Sequence, residues 1–237
     1  VEVLQQAGYT ADVKIKLPKE QLLEEIKNYD GIIVRSATKV TAEVIEAGSQ
    51  LKIIGRAGTG LDNVDKETAT RRGIVVMNTP GGNTITTAEH SIAMLVAMSR
   101  KIPQATASTK SGKWEKSKFM GTELYNKTLG LVGLGQIGSV VTKLAQGLSM
   151  NVIGHDPFLA SERAKEMGIE AVDLAELFRR SDFISVHTPL TNETRGIINA
   201  ETIKQMKDGV MIVNCARGGI ISEQDIYDAL KSKKVAS

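Results

Sequence analysis

The chain of 237 residues is long enough for two medium domains, each with a core of its own. With 41% hydrophobic and 24% charged residues it has the composition of an ordinary globular protein, which excludes a disordered segment as the main feature. Thirty basic residues stand against 27 acidic ones, a net charge of +3, and no aromatic residues interleave with a basic stripe, so nucleic acid is not an expected partner.

A local excess of Arg100, Lys101, Lys110, Lys113, Lys116 and Lys118 reads as a solvated face. No apolar run approaches the roughly 20 residues that cross a bilayer, and the opening residues lack a signal-peptide pattern, so the expectation is a cytoplasmic protein with no membrane partner. Cys215 is the single cysteine, which leaves no disulfide framework and fits a reducing compartment. His90, His155 and His187 are far apart with no local ligand spacing, so no metal is expected.

Residues 1–7 read as the end of a helix, as though the chain begins inside a structure. Short runs rich in Val and Ile then alternate with segments of helical period, the pattern of a parallel α/β sheet. Strands are expected at 12–15, 31–35, 51–55 and 74–78, about four in all. Helices are expected at 19–28, 41–47 and 63–72, the last closed by Gly73.

After Pro80-Gly81-Gly82 comes the longest periodic segment, a helix with Ile85, Ala88, Ile92, Leu95, Val96 and Ser99 on one face. Thr86 and Glu89 have the spacing of a capping box. A polar stretch at 106–122 follows, and then a second alternation with strands at 128–132, 151–155, 182–187 and 210–214. Its helices are expected at 136–148, 161–167, 174–179, 200–206 and 223–231, with Ser222 and Asp225 marking the last start. The domain boundary is placed near Thr79, giving units of 1–79 and 80–237. A further buried strand is expected after Ser237.

Gly133-Leu134-Gly135-Gln136-Ile137-Gly138 is a GxGxxG that directly follows the apolar run 129–132 and opens a helix, the setting a dinucleotide fingerprint requires. Gly133 allows the tight turn, Gly135 lets a pyrophosphate approach the backbone, and Gly138 lets helix and strand pack closely. Free amides at Gln136 and Ile137 and the positive helix end would hold the phosphates. Asp156, at the end of the next strand, would accept from the adenosine ribose hydroxyls and repel a 2′-phosphate, so NAD is favoured over NADP. The expected architecture is therefore a Rossmann-type doubly wound parallel sheet. A plain glycine turn followed by an aspartate cap is the bland alternative.

Gly133 to Gly138, His187-Thr188-Pro189-Leu190 and Val213-Asn214-Cys215-Ala216-Arg217-Gly218-Gly219 together resemble the D-isomer-specific 2-hydroxyacid dehydrogenases, and the resemblance covers the whole chain. Arg35-Ser36-Ala37-Thr38-Lys39-Val40, Gly55-Arg56-Ala57-Gly58-Thr59-Gly60, Lys113-Trp114 and Phe119-Met120-Gly121 are similar to the animal-type branch that oxidises 3-phosphoglycerate with NAD, the first step of serine biosynthesis. The resemblance implies a smaller flavodoxin-like α/β substrate domain, into which the cofactor domain is inserted.

It also implies roles. Arg217 corresponds to the catalytic arginine, whose planar fork can hold a carboxylate and polarise the C2 oxygen. Thr59, Thr188, Pro189, Cys215, Ala216 and Arg217 would join the fingerprint residues around the cofactor. Arg35, Ser36, Arg56, Gly58 and Thr59 would meet the substrate, the two arginines suiting a phosphate. Lys116 would reach the partner subunit's substrate phosphate, or else is a solvated lysine, and a homodimer or higher homo-oligomer is expected. His187 matches a cofactor-wall position and is not taken as the base.

The family's catalytic Glu and His would both follow Ser237, so these 237 residues alone are expected not to turn over. Two other readings remain: a hydroxypyruvate or glyoxylate reductase of the same family, and an NAD-sensing corepressor-like binding protein.

Overall fold

The computed structural model describes the backbone of residues 1–237 and every side chain except that of Ser161. It divides into two compact units, Val1–Asn83 and Thr84–Ser237.

In the first unit, strands β1 (Gly31–Val34), β2 (Ile53–Arg56) and β3 (Val75–Asn78) form a parallel sheet in that order. Parallel neighbours need crossovers, and helices supply them: α2 (Lys19–Glu25), extended by a 3-10 turn Ile26–Asn28, then α3 (Ala42–Ala47) and α4 (Lys66–Arg71), after a short α1 (Glu2–Gln6). One sheet face packs Val34 and Ile54 against Leu22, Ile26, Val44, Ile45 and Ala69. The register puts Ile33, Gly55 and Met77 in one row and Gly31, Ile53 and Val75 in another on the opposite face, where Ile33 is 65% and Val75 56% exposed.

The strand expected at 12–15 is absent, so this sheet has three strands rather than about four. Val13 and Ile15 alternate as a strand would but are exposed, and among the described residues no neighbouring strand gives the segment a ladder. Instead Tyr29 Oη donates to Asp12 at 2.8 Å and Lys14 Nζ to Glu25 at 2.6 Å, so side-chain ties and not a strand ladder connect this segment to α2 and the turn after it.

The second unit opens with α5 (Thr84–Ser99) and α6 (Ile102–Lys110), followed by a 3-10 turn Lys116–Phe119. Strands β4 (Thr128–Val132), β5 (Asn151–His155), β6 (Glu170–Ala171), β7 (Phe183–Val186) and β8 (Met211–Asn214) then alternate with α7 (Gln136–Gly147), α8 (Ser161–Glu166), α9 (Leu174–Arg180), α10 (Ala200–Gln205) and α11 (Glu223–Lys231). The order β6-β5-β4-β7-β8, all parallel, reverses direction between β4 and β7. Ligands in such open sheets bind at the strand carboxyl ends beside that switch point.

Alternating side chains feed two cores. Leu129, Leu131, Phe183 and Val213 pack with Ala88, Leu95, Val141 and Ala145 from α5 and α7. Val132, Ile184 and Val186 pack with Leu177, Phe178, Ile203 and Ala229 from α9, α10 and α11. Helices on both faces make the sheet doubly wound, and its central strands read as apolar runs because both faces are buried.

Several local expectations need correction. Helix α5 begins at Thr84, so Thr86 lies inside it and does not cap it, and Ile85 is exposed while Ser91 is buried. The polar stretch contains the end of α6 and the 3-10 turn; α6 buries no residue, so its sequence carried no apolar stripe to read. Ser222 stands at the N-cap of α11 without a side-chain cap bond, and Asp225 Oδ2 instead accepts from the Ala200 amide at the start of α10. Helix α4 starts at Lys66, capped by Asp65, whose Oδ1 accepts from Thr68 N–H at 2.9 Å. The two-residue edge strand β6 had no sequence signal.

Candidate functional site

Strand β4 ends at Val132, paired in register with His155 and Val186, and the chain turns at once into the glycine loop. Each glycine of the loop meets a different constraint. Gly133 has φ +94°, and a Cβ there would stand 2.8 Å from the His187 carbonyl oxygen. A Cβ on Gly138 would collide with the Gly133 carbonyl, so the third glycine brings α7 onto the loop. At Gly135 a Cβ would meet nothing within 4 Å; that side of the loop is open.

Helix α7 has no side-chain cap at Gly135, so its first amides point outward, and an anion placed there gains both their hydrogen bonds and the helix dipole. At the end of β5, Asp156 faces the loop. Its Oδ2 accepts from Leu134 N–H at 2.8 Å and its Oδ1 from Phe158 N–H at 2.9 Å, so one carboxylate ties the glycine loop to the β5 exit. Each oxygen keeps a second lone pair for a ligand hydroxyl.

Across the switch point, β7 leads into His187 and Thr188. Burial pushes the His187 imidazole down to about 4, so it is neutral near pH 7, and its Nε2 lies 2.9 Å from Ser185 Oγ. The Thr188 hydroxyl oxygen is buried with no hydrogen-bond partner among the described residues, a vacancy that an incoming polar ligand group can fill. Thr194 Oγ1 donates to the Pro189 carbonyl at 2.6 Å and holds this turn. At the end of β8, Asn214 spans the turn to Arg217: its Oδ1 accepts from Ala216 N–H at 3.0 Å and its Nδ2 donates to the Arg217 carbonyl at 2.9 Å. Cys215 packs its side chain against the core, leaving only its backbone to line the turn.

These observations fit a dinucleotide: an open cradle at Gly135, uncapped amides on α7, a carboxylate at the β5 end and an orphaned hydroxyl at Thr188. The structure thus gathers Gly133, Gly135, Gln136, Ile137, Gly138, Asp156, Thr188, Pro189, Cys215, Ala216 and Arg217 at the carboxyl ends of β4, β5, β7 and β8.

The first unit brings its own expected residues together at the carboxyl end of its sheet. Val34 and Arg56 are register partners, so Arg35 and Arg56 leave neighbouring strands side by side. Ser36 follows in an exposed turn, clamped by Asn63, whose Nδ2 donates to the Arg35 carbonyl at 2.9 Å and the Thr38 carbonyl at 2.6 Å. The Arg56 guanidinium folds over Gly58, whose φ is +155° and whose absent Cβ would coincide with Arg56 Nη1. Arg56 Nε is buried without a partner among the described residues. Thr59 is fixed by Asn83, which accepts from its hydroxyl at 2.7 Å, and by Asn78, which donates to its carbonyl at 2.7 Å. Sequence reasoning missed the Asn63 and Asn214 clamps, although an Asn in a loop, as at 63, or at a strand exit, as at 214, is a turn signal in its own right.

The sequence model described as D-isomer specific 2-hydroxyacid dehydrogenase, NAD binding domain, matches residues 92–237. The chain belongs to this family. The matched residues fall within the second unit, which also carries the glycine loop Gly133 to Gly138. The chain is 52% identical over 237 residues to D-3-phosphoglycerate dehydrogenase of Archaeoglobus fulgidus, covering 100% of this chain and 45% of that protein. It is 51% identical over 235 residues to the human D-3-phosphoglycerate dehydrogenase, covering 99% and 44%. The chain thus spans less than half the length of these curated relatives.

Among solved structures, D-lactate dehydrogenase from Aquifex aeolicus complexed with NAD and lactic acid superposes with a TM-score of 0.88 at 31% identity, covering 100% of this chain and 72% of that one. A glyoxylate reductase from Paecilomyes thermophila gives 0.85 at 33% identity, covering 92% and 70%. Among the described residues, no helix is long and apolar enough to cross a membrane.

Proposed function

We propose that this chain carries the cofactor site and substrate loops of a D-3-phosphoglycerate dehydrogenase, which oxidises 3-phosphoglycerate to 3-phosphohydroxypyruvate with NAD. The observation that carries the reading is the pair Arg35 and Arg56 on adjacent strand ends, two guanidinium groups suited to one phosphate, in a chain about half identical to proteins of that name. A reductase acting on unphosphorylated glyoxylate or hydroxypyruvate has no use for two such arginines.

The roles follow from position. The Gln136 and Ile137 amides hold the pyrophosphate, Asp156 accepts from the adenosine ribose, and Thr188, Pro189, Cys215 and Ala216 line the nicotinamide ribose. Bound NAD supplies the hydride acceptor. Arg217 grips the substrate carboxylate and polarises the C2 oxygen, while Arg35, Ser36, Arg56, Gly58 and Thr59 bind the rest of the substrate. His187 is not assigned the proton, because an imidazole held near 4 is a weak base at neutral pH and its Nε2 is engaged by Ser185.

The domain reading is a substrate-binding unit over 1–79 and a cofactor unit over 80–237. A homodimer is proposed through α5, α6 and the arm after them, where Met94, Trp114, Met120 and Tyr125 are exposed and Lys116 extends from the 3-10 turn toward a partner's substrate. A cytoplasmic location is proposed on the lone free thiol, Cys215.

In the full-length enzyme Arg35→Ala should raise the KM for 3-phosphoglycerate about 10- to 100-fold, the scale of charge-assisted hydrogen bonds, with kcat much less affected. An equal loss toward an unphosphorylated 2-hydroxy acid would remove the phosphate role.

A further inference from the structure

Arg217 stands three positions past the end of β8, and Gly218 and Gly219 follow it directly. A Cβ on Gly218 would meet nothing within 4 Å, so this residue gives the chain directly after Arg217 no packing restraint, whereas Gly219, at φ +81°, lies against Arg195 and Leu190. The next backbone tie downstream is Gly196 N–H to the Gly219 carbonyl at 2.9 Å. A guanidinium that must meet a substrate needs its backbone fixed more closely than this.

The residue that fixes it is on the other side of the turn. Asn214 is the last ladder residue of β8, in register with Val186, and its side chain reaches forward over the turn. One amide makes both bonds: Oδ1 takes the Ala216 N–H at 3.0 Å, and Nδ2 gives a proton to the Arg217 carbonyl at 2.9 Å. The orientation is forced, since a flipped amide would set donor against donor and acceptor against acceptor. Asp lacks the donor, Ser is too short to span the turn and has one rotor for two bonds, and Ala offers neither group. Asn214 is itself exposed, so its side chain adds little to the core.

We infer that Asn214 is the positioning residue for Arg217: it holds the Cys215-Ala216-Arg217 turn, and the guanidinium is held to that turn in its own right, Arg217 Nη1 donating to the Ala216 carbonyl at 2.9 Å. This rests on the catalytic assignment of Arg217 above. A shift of about 1 Å in a positioned group costs on the order of 100-fold in rate, which is the size of effect one lost backbone clamp can produce.

The test uses the full-length enzyme with NAD and 3-phosphoglycerate. Asn214→Asp is nearly isosteric and keeps the Ala216 bond while facing the Arg217 carbonyl with an acceptor; Asn214→Ala loses both. Each should lower kcat about 10- to 100-fold, with NADH affinity changed less than about fivefold and the melting temperature nearly constant. The decisive measurement is the cycle with Arg217→Ala: if Asn214 acts through the arginine, Asn214→Ala costs less than about twofold further once Arg217 is gone.

Equal costs in the two backgrounds, or a loss of NADH affinity as large as the loss of kcat, would overturn the inference. Normal turnover in both Asn214 variants beside an inactive Arg217→Ala would overturn it alone. Normal turnover in Arg217→Ala would remove the catalytic assignment as well.

Discussion

Replacing Asp156 with Ala should damage cofactor binding and fold stability together, because the carboxylate ties the glycine loop to the β5 exit and is the proposed acceptor for the adenosine ribose. Its two oxygens accept from Leu134 N–H at 2.8 Å and Phe158 N–H at 2.9 Å, and the first of these donors belongs to the glycine loop itself. An amide left without its partner costs about 1–3 kcal/mol when buried; Asp156 is half-buried, so about 1–2 kcal/mol of stability is at stake. That corresponds to a fall of roughly 2–8 °C in melting temperature for a chain of this size.

Loss of the ribose acceptor and the loosened loop together should weaken NADH by about 2–3 kcal/mol, roughly 30- to 150-fold in Kd. NADPH should gain from the missing negative charge but by less than NADH loses, since both cofactors need the same loop. Calorimetric titration with NADH and NADPH, alongside thermal denaturation, separates the two duties. Unchanged NADH affinity would refute the ribose role, and an unchanged melting temperature with weakened NADH would refute the loop role.

Gly138→Ala should push α7 away from the Gly133 carbonyl, costing about 1–3 kcal/mol in stability and most of the NADH affinity; a variant that melts and binds as before would show that the close approach is dispensable. The buried His187 predicts an acid-side loss of stability. Its folded pKa of about 4 lies below the ordinary 6.5, so the unfolded chain binds more protons between these values; the native state holds its full advantage above about pH 6.5 and loses it as pH falls toward 4. The full effect is roughly 3 kcal/mol, and melting curves between pH 7 and 5 should slope in the native protein and flatten in His187→Gln. A slope that survives in His187→Gln would point to other groups.

The cofactor half was legible because its signals are local. An apolar run with both faces buried, a glycine turn and a helix of period 3.6 follow one another within 128–147, and Gly133 and Gly138 each have a steric reason that the sequence spacing already implies. Asp156 was found from its place at a strand end, but its bond to the Leu134 amide was not, since a side chain meeting a backbone 22 positions away has no spacing rule. The same holds for Asn63 and its grip on the Arg35 turn.

Helix α6 escaped because it buries nothing, and period is a record of burial. Residues 12–15 misled for the opposite reason: alternation of Val13 and Ile15 describes a side-chain pattern, whereas a strand also needs a neighbour to bond.

The proposed oxidation of a phosphorylated 2-hydroxy acid with NAD makes phosphate the feature that separates good substrates from poor ones. The most direct measurement is NADH formation by the full-length enzyme from 3-phosphoglycerate, D-glycerate and D-lactate under identical conditions. A kcat/KM for 3-phosphoglycerate exceeding the other two by at least about 100-fold is the predicted result, because a site built around a phosphate leaves its arginines unpaired with the others. Equal or greater efficiency with either unphosphorylated acid would contradict it.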